Sequence, residues 1–328
     1  MSAKVTIRDV AREAGCSPSL VSLYLRTPQT TRIAHETKKR IAHAVEKLNY
    51  RRNLLASILK SGSSNMIGVL ADAQANGTIF RLIAALEAEA AERHVRLQIG
   101  LFHDSLENLL EACSLLKQYG AAGIICLCHD YPAFNRELEE HFMVEPGIVF
   151  YDGPLREGHS CVIPDKKYSV ELAFNCLKQR GRKRIGLCIP GNCPEWYSVS
   201  CKLQAFTQLS GDELVCRLPH QLDLRQAARD FLLPFVREKS PDALLFANDR
   251  HALCASLVLM SAGIRVPEDV ALIGFDNDPI CGEHTPALSC LALDQKQIAG
   301  KLFDLVLKPH RSPEVITLRP ELRLRESC

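Results

Sequence analysis

Long apolar runs are missing from this sequence. No stretch approaches about 18 uninterrupted apolar residues, which excludes a membrane-spanning helix. The first residues also lack the apolar run of a secretory signal. The fourteen cysteines are scattered along the chain rather than arranged as a disulfide framework. We therefore expect a cytoplasmic protein with reduced thiols and no membrane partner.

Sequence motifs of catalysis and metal binding are also missing. There is no GxSxG elbow, P-loop lysine, HExxH helix or GxGxxG loop. The group Cys126, Cys128 and His129 stands at a strand end, but a structural zinc site needs a second ligand pair that the chain does not offer. Buried apolar cysteine is the interpretation we favour. The prediction is no enzyme, no cofactor and no metal; unknown chemistry in a cleft is a distant alternative.

Basic residues are concentrated at one end. Residues 1–60 contain twelve Lys and Arg against four Asp and Glu, whereas the remainder has 28 against 34. A small basic segment on a mildly acidic body is typical of a module that meets a polyanion, although a solvated basic face would give the same count.

The basic segment has the pattern of a helix-turn-helix. Thr6 and Asp9 form a capping box, and Gly15 is a natural helix stop. Ser17 and Pro18 then restart a helix as cap and first position. The second helix of such a unit enters the DNA major groove.

A third helix is predicted over residues 35–48. Its expected buried stripe is Ile41, Ala42, Val45 and Leu48. Residues 53–60 are apolar but too short to be a helix alone in water, and a flexible Ser/Gly linker follows them. They either dock on the next domain or become ordered on DNA with a leucine wedged into the minor groove.

Beyond residue 65, short apolar runs alternate with helical patterns. This alternation predicts parallel sheets covered on both faces. About 265 residues exceed one core and fit two α/β lobes. Ligands of such sheets bind beyond the carboxyl ends of strands. The polar residues at those positions are either ligand-binding residues or simple helix caps and turns: Asp152, Asn192, Asn248, Asp249, Asp276 and Asn277.

Several segments together resemble the LacI/GalR (lactose-repressor) family of bacterial transcription regulators. They are TIRDVAREAGCSPSLVS (6–22), the stretch 36–70, GRKRIGLCIPG (181–191), FANDRHALCASL (246–257) and GIRVPEDVALIGFDND (263–278). The resemblance spans almost the whole chain. It implies a homodimer on a pseudo-palindromic DNA operator and an effector domain similar to periplasmic sugar-binding proteins.

The domain organisation implied by the resemblance has three parts. Residues 1–52 form an all-α helix-turn-helix DNA-binding domain, 53–65 a hinge helix and linker, and 66–328 a periplasmic-binding-protein-like effector and dimerisation domain. The latter has two doubly wound parallel-sheet lobes. The N-lobe comprises about 66–163 and 294–316, and the C-lobe about 165–291 and 317–328.

The resemblance also assigns DNA contacts. Base-reading positions fall on Pro18, Ser19 and Leu23, with Ser19 and Ser22 as the hydrogen-bonding candidates because leucine can only touch a thymine methyl or pack. Backbone contacts fall on Thr6, Ser17, Arg26 and Thr37. In the hinge, Leu59 is the wedge, and Asn53, Ala56 and Lys60 face the minor groove, which predicts a soft CG, CA or TA step at the operator centre.

The effector positions of the family fall on residues that depart from its pattern. Sugar-binding positions map to Asn76, Asp152, Lys202, Asn248 and Asp276. The ammonium of Lys202 cannot form the bidentate hydrogen bonds to two hydroxyls that the family's arginine forms. Thr78, Ile79 and Leu293 stand where the family has other polar or aromatic ligand contacts. Trp196 is either a replacement aromatic wall or a packing residue.

The function predicted from the sequence is a transcriptional regulator, most simply a repressor, controlled by a sugar-like molecule in the cleft between lobes. The weakened sugar positions leave open control by a partner protein or a phosphorylated metabolite. The direction of control, induction or co-repression, does not follow from the sequence.

Overall fold

A computed structural model describes most of the chain. It covers residues 5–50, 65–73, 77–102, 105–127, 147–153, 158–191, 196–219, 223–308 and 312–328. The chain divides into two compact units, Met1–Ser64 and Asn65–Cys328. The predicted hinge contacts Asn53, Ala56, Leu59 and Lys60, and the predicted effector residue Asn76, lie outside the described residues.

The first unit contains three helices, α1 (Ile7–Glu13), α2 (Pro18–Arg26) and α3 (His35–Lys47). Gly15, with φ +61°, makes the tight turn between α1 and α2 as predicted. A small core closes the unit: Val10, Ala11, Ala14, Val21, Ile41 and Ala44. The predicted stripe of α3 was wrong at Ala42, which is exposed, because Ala44 instead falls on the face toward α1 and α2.

The second unit contains two parallel sheets, each with six strands among the described residues. The first sheet has the order β11-β5-β4-β3-β1-β2, and the second β12-β10-β9-β8-β6-β7. The strands are β1 (Met66–Asp72), β2 (Arg96–Phe102), β3 (Gly123–Leu127), β4 (Ile148–Tyr151), β5 (Ser160–Pro164), β6 (Ile185–Pro190), β7 (Val215–Leu218), β8 (Ala243–Phe246), β9 (Ala271–Phe275), β10 (Ser289–Ala292), β11 (Val315–Leu318) and β12 (Glu321–Arg323). Only β12 is antiparallel to its neighbour among the described pairs.

Helices connect the strands and cover both sheets. They are α4 (Gly77–Glu92), α5 (Leu106–Gln118), α6 (Lys166–Gln179), α7 (Tyr197–Ser210), α8 (Leu224–Ala227), a π-helical turn (Ala228–Leu232), α9 (Leu233–Lys239), α10 (Asp249–Ser261), α11 (Ile280–Glu283) and α12 (Gln295–Val306). The central strands β3, β4, β8, β9 and β10 are buried along their length, as expected of sheets covered on both faces. None of the described helices combines the length and apolarity needed to cross a membrane.

The predicted fold class, a helix-turn-helix unit followed by two parallel-sheet lobes, is confirmed. The chain leaves the first sheet after β5 and returns to it through α12 and β11. Because β11 stays in the first sheet as far as Leu318, the last crossing falls two residues later than the predicted 316/317 boundary. The cysteines of the described residues are free thiols.

Candidate ligand cavity and DNA-binding surface

A cavity lies where the carboxyl ends of both sheets converge. Tyr151 ends β4 and Phe275 ends β9, so the residues that follow these strands reach the same space. The cavity measures about 630 Å³, open solvent at its mouth included. Its lining is Thr78, Ile79, Tyr151, Asp152, Pro164, Lys166, Ser169, Ser198, Lys202, Phe275, Asp276, Leu291, Leu293, Gln295 and Pro320. The position is the one that the strand-end rule predicts for a ligand.

A buried ion pair occupies the side of the first sheet. Asp165 caps α6 by accepting the Tyr168 N–H at 2.9 Å, and this start of the helix places Lys166 beside β5. The Lys166 ammonium pairs with the Asp152 carboxylate, and their side chains are 6% and 17% exposed. The Lys166 Nζ also lies 5.2 Å from the centroid of the Tyr197 ring. Asp152 is one of the predicted effector residues, whereas Lys166 is not, although it too follows a strand.

A second buried ammonium occupies the side of the second sheet. Lys202 on α7 donates from Nζ to the Ala247 carbonyl at 2.8 Å and stands 4.3 Å from the centroid of the Phe275 ring. Burial lowers the pKa of Lys202, whereas the nearby Asp276 opposes that shift. The cavity therefore presents two ammonium groups, both from helices that pack on the second sheet, and Lys166 reaches the Asp152 carboxylate at the end of the first sheet.

Asp276 lies opposite Lys202 at the end of β9, with φ +105°. Burial raises the pKa of its carboxyl to about 8, with repulsion from Asp249 adding to the shift and Lys202 opposing it. Burial likewise raises the pKa of Asp249 to about 7. A protonated Asp276 can donate a hydrogen bond to a ligand as well as accept one.

Arg81 bridges the two lobes at the rim of the cavity. From α4 in the first lobe, its guanidinium donates to the Asn277 carbonyl at 2.8 Å and to the Asp276 carbonyl at 2.9 Å. It also reaches the Thr78 hydroxyl at 3.3 Å. No local pattern points to Arg81, because its acceptors are about 195 positions away and belong to the backbone.

Three predicted effector residues line the cavity and two do not. Asp152, Lys202 and Asp276 are brought together. Asn248 and Trp196 are absent from the lining among the described residues. The Asn248 side chain instead caps α10 by accepting the His251 N–H at 3.0 Å, and Trp196 packs on the core of the second sheet. The geometry at Asn248 therefore matches the helix-cap alternative, and the geometry at Trp196 matches the packing alternative.

The first unit presents α2 as a capped helix. Thr6 donates from N–H and hydroxyl to the Asp9 carboxylate at 2.9 and 2.7 Å, which fixes the start of α1. Ser17 accepts the Leu20 N–H at 3.2 Å and fixes the start of α2. The predicted contacts differ in exposure: Ser17, Pro18 and Ser19 are exposed, Ser22, Leu23 and Thr37 are half-buried, and the Arg26 side chain lies outside the described residues.

The exposed start of α2 presents the small side chains of Ser17 and Ser19 to a polyanion. An ion pair between Lys47 and Glu13 at 2.7 Å holds α3 against α1. The buried Val21 side chain anchors α2 in the core formed with α1 and α3, as a recognition helix requires.

Comparisons with known proteins agree with this geometry. Residues 6–53 match the family model of bacterial regulatory proteins of the lacI family, and residues 174–328 match that of a periplasmic binding protein-like domain. The HTH-type transcriptional repressor PurR of Vibrio atlanticus (strain LGP32) is 25% identical over 97% of this chain and 96% of its own length. PurR of Escherichia coli O1:K1 / APEC is 26% identical over 98% and 96%.

Among solved structures, the lac repressor dimer bound to operator and the anti-inducer ONPF superposes with a TM-score of 0.81 at 20% identity. That match covers 99% of both chains. The helix-turn-helix unit and the two-lobed body seen in the structure agree with the matched family models and relatives. The chain joins a helix-turn-helix domain of the lacI family of bacterial regulatory proteins to a periplasmic binding protein-like domain.

Proposed function

We propose that this chain is a transcriptional repressor that binds a pseudo-palindromic DNA operator as a homodimer. The observation that carries the proposal is the capped, exposed start of α2 on a closed three-helix core, in a chain whose full length resembles repressors. Membership of a regulatory family supports the expectation that the chain is not an enzyme.

Binding to DNA is tested with full-length protein and fragments selected from a random duplex library. Fluorescence anisotropy should show binding that weakens steeply with salt, because phosphate contacts release counterions. Arg26→Ala should lower affinity across all sequences and flatten the salt slope by about one unit, whereas Arg237→Ala, an exposed position of the second unit, should change neither. Retention of no duplex at any salt would refute the proposal.

The hinge assignment has its own test. Leu59→Ala should weaken binding to the selected operator and leave nonspecific binding nearly unchanged, because a wedge acts only at a soft central step. Equal loss on both kinds of DNA would count against the wedge.

Dimerisation is supported by an apolar surface on the first lobe. Edge strand β2 and the adjacent α5 expose a group of large apolar side chains: Ile99, Leu101 and Leu115, with Tyr119 just after the helix. Exposed apolar patches of this kind mark contact surfaces. Leu101→Glu should give a monomer in analytical ultracentrifugation and lower operator affinity, since each half-site would then bind alone.

Control by a small polar molecule in the cavity is the second part of the proposal. Carboxyl groups of Asp152 and Asp276 can bind adjacent hydroxyls, as a sugar-like molecule offers. The ammonium groups of Lys166 and Lys202 favour a ligand that also carries negative charge, such as a phosphorylated metabolite. We infer a hydroxylated anion as the effector class.

Calorimetric titration of full-length protein with neutral sugars, sugar phosphates and a purine base tests this class. We expect heat of binding with a sugar phosphate and its loss in Lys202→Met. Binding of a neutral sugar or a base alone would refute the anionic class. Binding of no compound in the panel would favour control by a partner protein.

A further inference from the structure

Three buried groups meet beneath the loop that carries Asp276. Asp249 begins α10, Cys281 lies on α11, and Cys290 lies on β10 next to β9. One carboxylate oxygen and the two Sγ atoms all lie within 4.8 Å of one another. Both thiols are fully buried, and a hydrogen bond from the Leu288 N–H to the Cys281 carbonyl at 2.7 Å holds α11 against β10.

The two thiols differ in their electrostatic surroundings. The Arg325 guanidinium approaches Cys290 Sγ to 2.8 Å and also donates to the Asn277 side-chain oxygen at 2.6 Å. The Cys281 thiol and then Arg325 lower the pKa of Cys290 to about 7. The pKa of Cys281 is raised, because its thiol donates to Cys290 and is buried. Cys290 is therefore the thiol of this pair whose ionised form is favoured by its surroundings.

We propose that Cys290 and Cys281 are an oxidisable dithiol that reacts with hydroperoxides. The Cys290 thiolate attacks the peroxide, the O–O bond breaks, and the leaving oxygen takes up a proton as water or alcohol. The product is a Cys290 sulfenic acid. The Cys281 sulfur then attacks the Cys290 sulfur while Asp249 accepts the Cys281 proton. The S–S bond forms, the S–O bond breaks, and the departing hydroxide takes that proton from Asp249 and leaves as water. The two thiols lose two electrons and the peroxide gains them.

The same three groups are suitable ligands for a thiophilic metal ion, but the position of Arg325 argues against a metal site. Its guanidinium lies 2.8 Å from Cys290 Sγ, so a metal ion at that sulfur would meet a positive charge at close range. A thiolate that reacts with a peroxide is instead stabilised by that charge.

Oxidation would alter the contacts of Asn277, the neighbour of the cavity-lining Asp276. A Cys281–Cys290 disulfide removes the thiolate that partners Arg325, which also holds the Asn277 side chain. The Asn277 backbone carbonyl in turn accepts a hydrogen bond from Arg81 across the lobes. The proposal itself rests on the sulfur site and does not depend on the identity of the effector.

A second thiol pair provides an internal control. Cys188 and Cys216 are register partners on β6 and β7, and both are buried. Burial and the Cys216 thiol raise the pKa of Cys188 well above its ordinary value. No guanidinium bonds either sulfur among the described residues, so this pair has similar proximity and burial without the charge.

The test treats reduced full-length protein with hydrogen peroxide at pH 7.5, followed by alkylation, proteolysis and mass spectrometry. We expect a peptide linked between Cys281 and Cys290 while Cys188 and Cys216 stay alkylated. The rate should rise with a midpoint near pH 7. In Arg325→Met it should fall at least about fivefold, because less thiolate is present at that pH.

Three results would overturn the proposal. The first is equal oxidation of the two pairs, or oxidation of the control pair alone. The second is a rate midpoint near pH 9 in wild-type protein, a measurement that needs no variant to fold. The third is one equivalent of zinc, found by elemental analysis of the purified protein, that dissociates only when Cys281 or Cys290 is replaced.

Discussion

Removal of the Lys166 ammonium should destabilise the second unit more than any exposed charge change would. In Lys166→Met the Asp152 carboxylate loses its partner at a site where the two side chains are 6% and 17% exposed. Breaking a buried pair on one side costs about 3–5 kcal/mol. We expect about 3 kcal/mol, the lower end of that range, because Asp152 keeps some contact with water.

Two further variants separate the lost charge from the lost packing. Lys166→Met combined with Asp152→Asn removes both charges and should recover most of the stability, and Asn tolerates the φ of +49° at position 152. Lys167→Met is the matched control. Its side chain is 68% exposed and lies 3.9 Å from Glu171, so the change should cost less than about 0.5 kcal/mol.

The assay is urea unfolding of the full-length chain, followed by the fluorescence of Trp196. This is the single tryptophan of the sequence and it packs in the core of the second sheet, so its signal reports on that unit. A Lys166→Met variant within about 0.5 kcal/mol of wild type would refute the reasoning. So would a double variant as unstable as the single one.

Three other predictions use the same unfolding signal or amide exchange. The free energy of unfolding should fall as pH rises from 5 to 8, by at most about 1.4 kcal/mol per pH unit for each group. Burial raises the pKa of Asp276 to about 8 and that of Asp249 to about 7, above the unfolded value near 4. The folded state therefore binds more protons than the unfolded state in this pH window. Asp276→Asn should flatten that slope, and a profile that rises with pH would contradict the assignment. Arg81→Met should raise amide exchange in residues 276–278 about tenfold without affecting β1, since two hydrogen bonds to that loop are lost; unchanged exchange would show that the bridge does not hold the loop. Gly274→Ala should cost about 3 kcal/mol, because the added Cβ collides with Asp249 Oδ1, whereas Gly282→Ala, with 4.0 Å to its nearest neighbour, should be close to neutral; equal effects would mean that the packing at Gly274 is loose.

Local patterns in the sequence were sufficient for the fold class and for part of the cavity. Helix caps such as Ser17 and strand-end acids such as Asp152 and Asp276 follow from rules that act within a few residues. These rules also left genuine ambiguities. The same polar residue after a strand can cap a helix or face a ligand, and Asn248 takes the cap in the structure.

The amino-acid sequence alone determined the concentration of basic residues in the first unit, the helix-turn-helix pattern and the alternation of strands and helices. Each of these is a property of neighbouring residues. Tertiary structure decided which groups meet. It paired Lys166 with Asp152, carried Arg81 across the cavity to a backbone about 195 residues away, and placed Arg325 against Cys290. Such contacts depend on the packing of distant elements, and they set the charge of the cavity and the ionisation of the buried thiols.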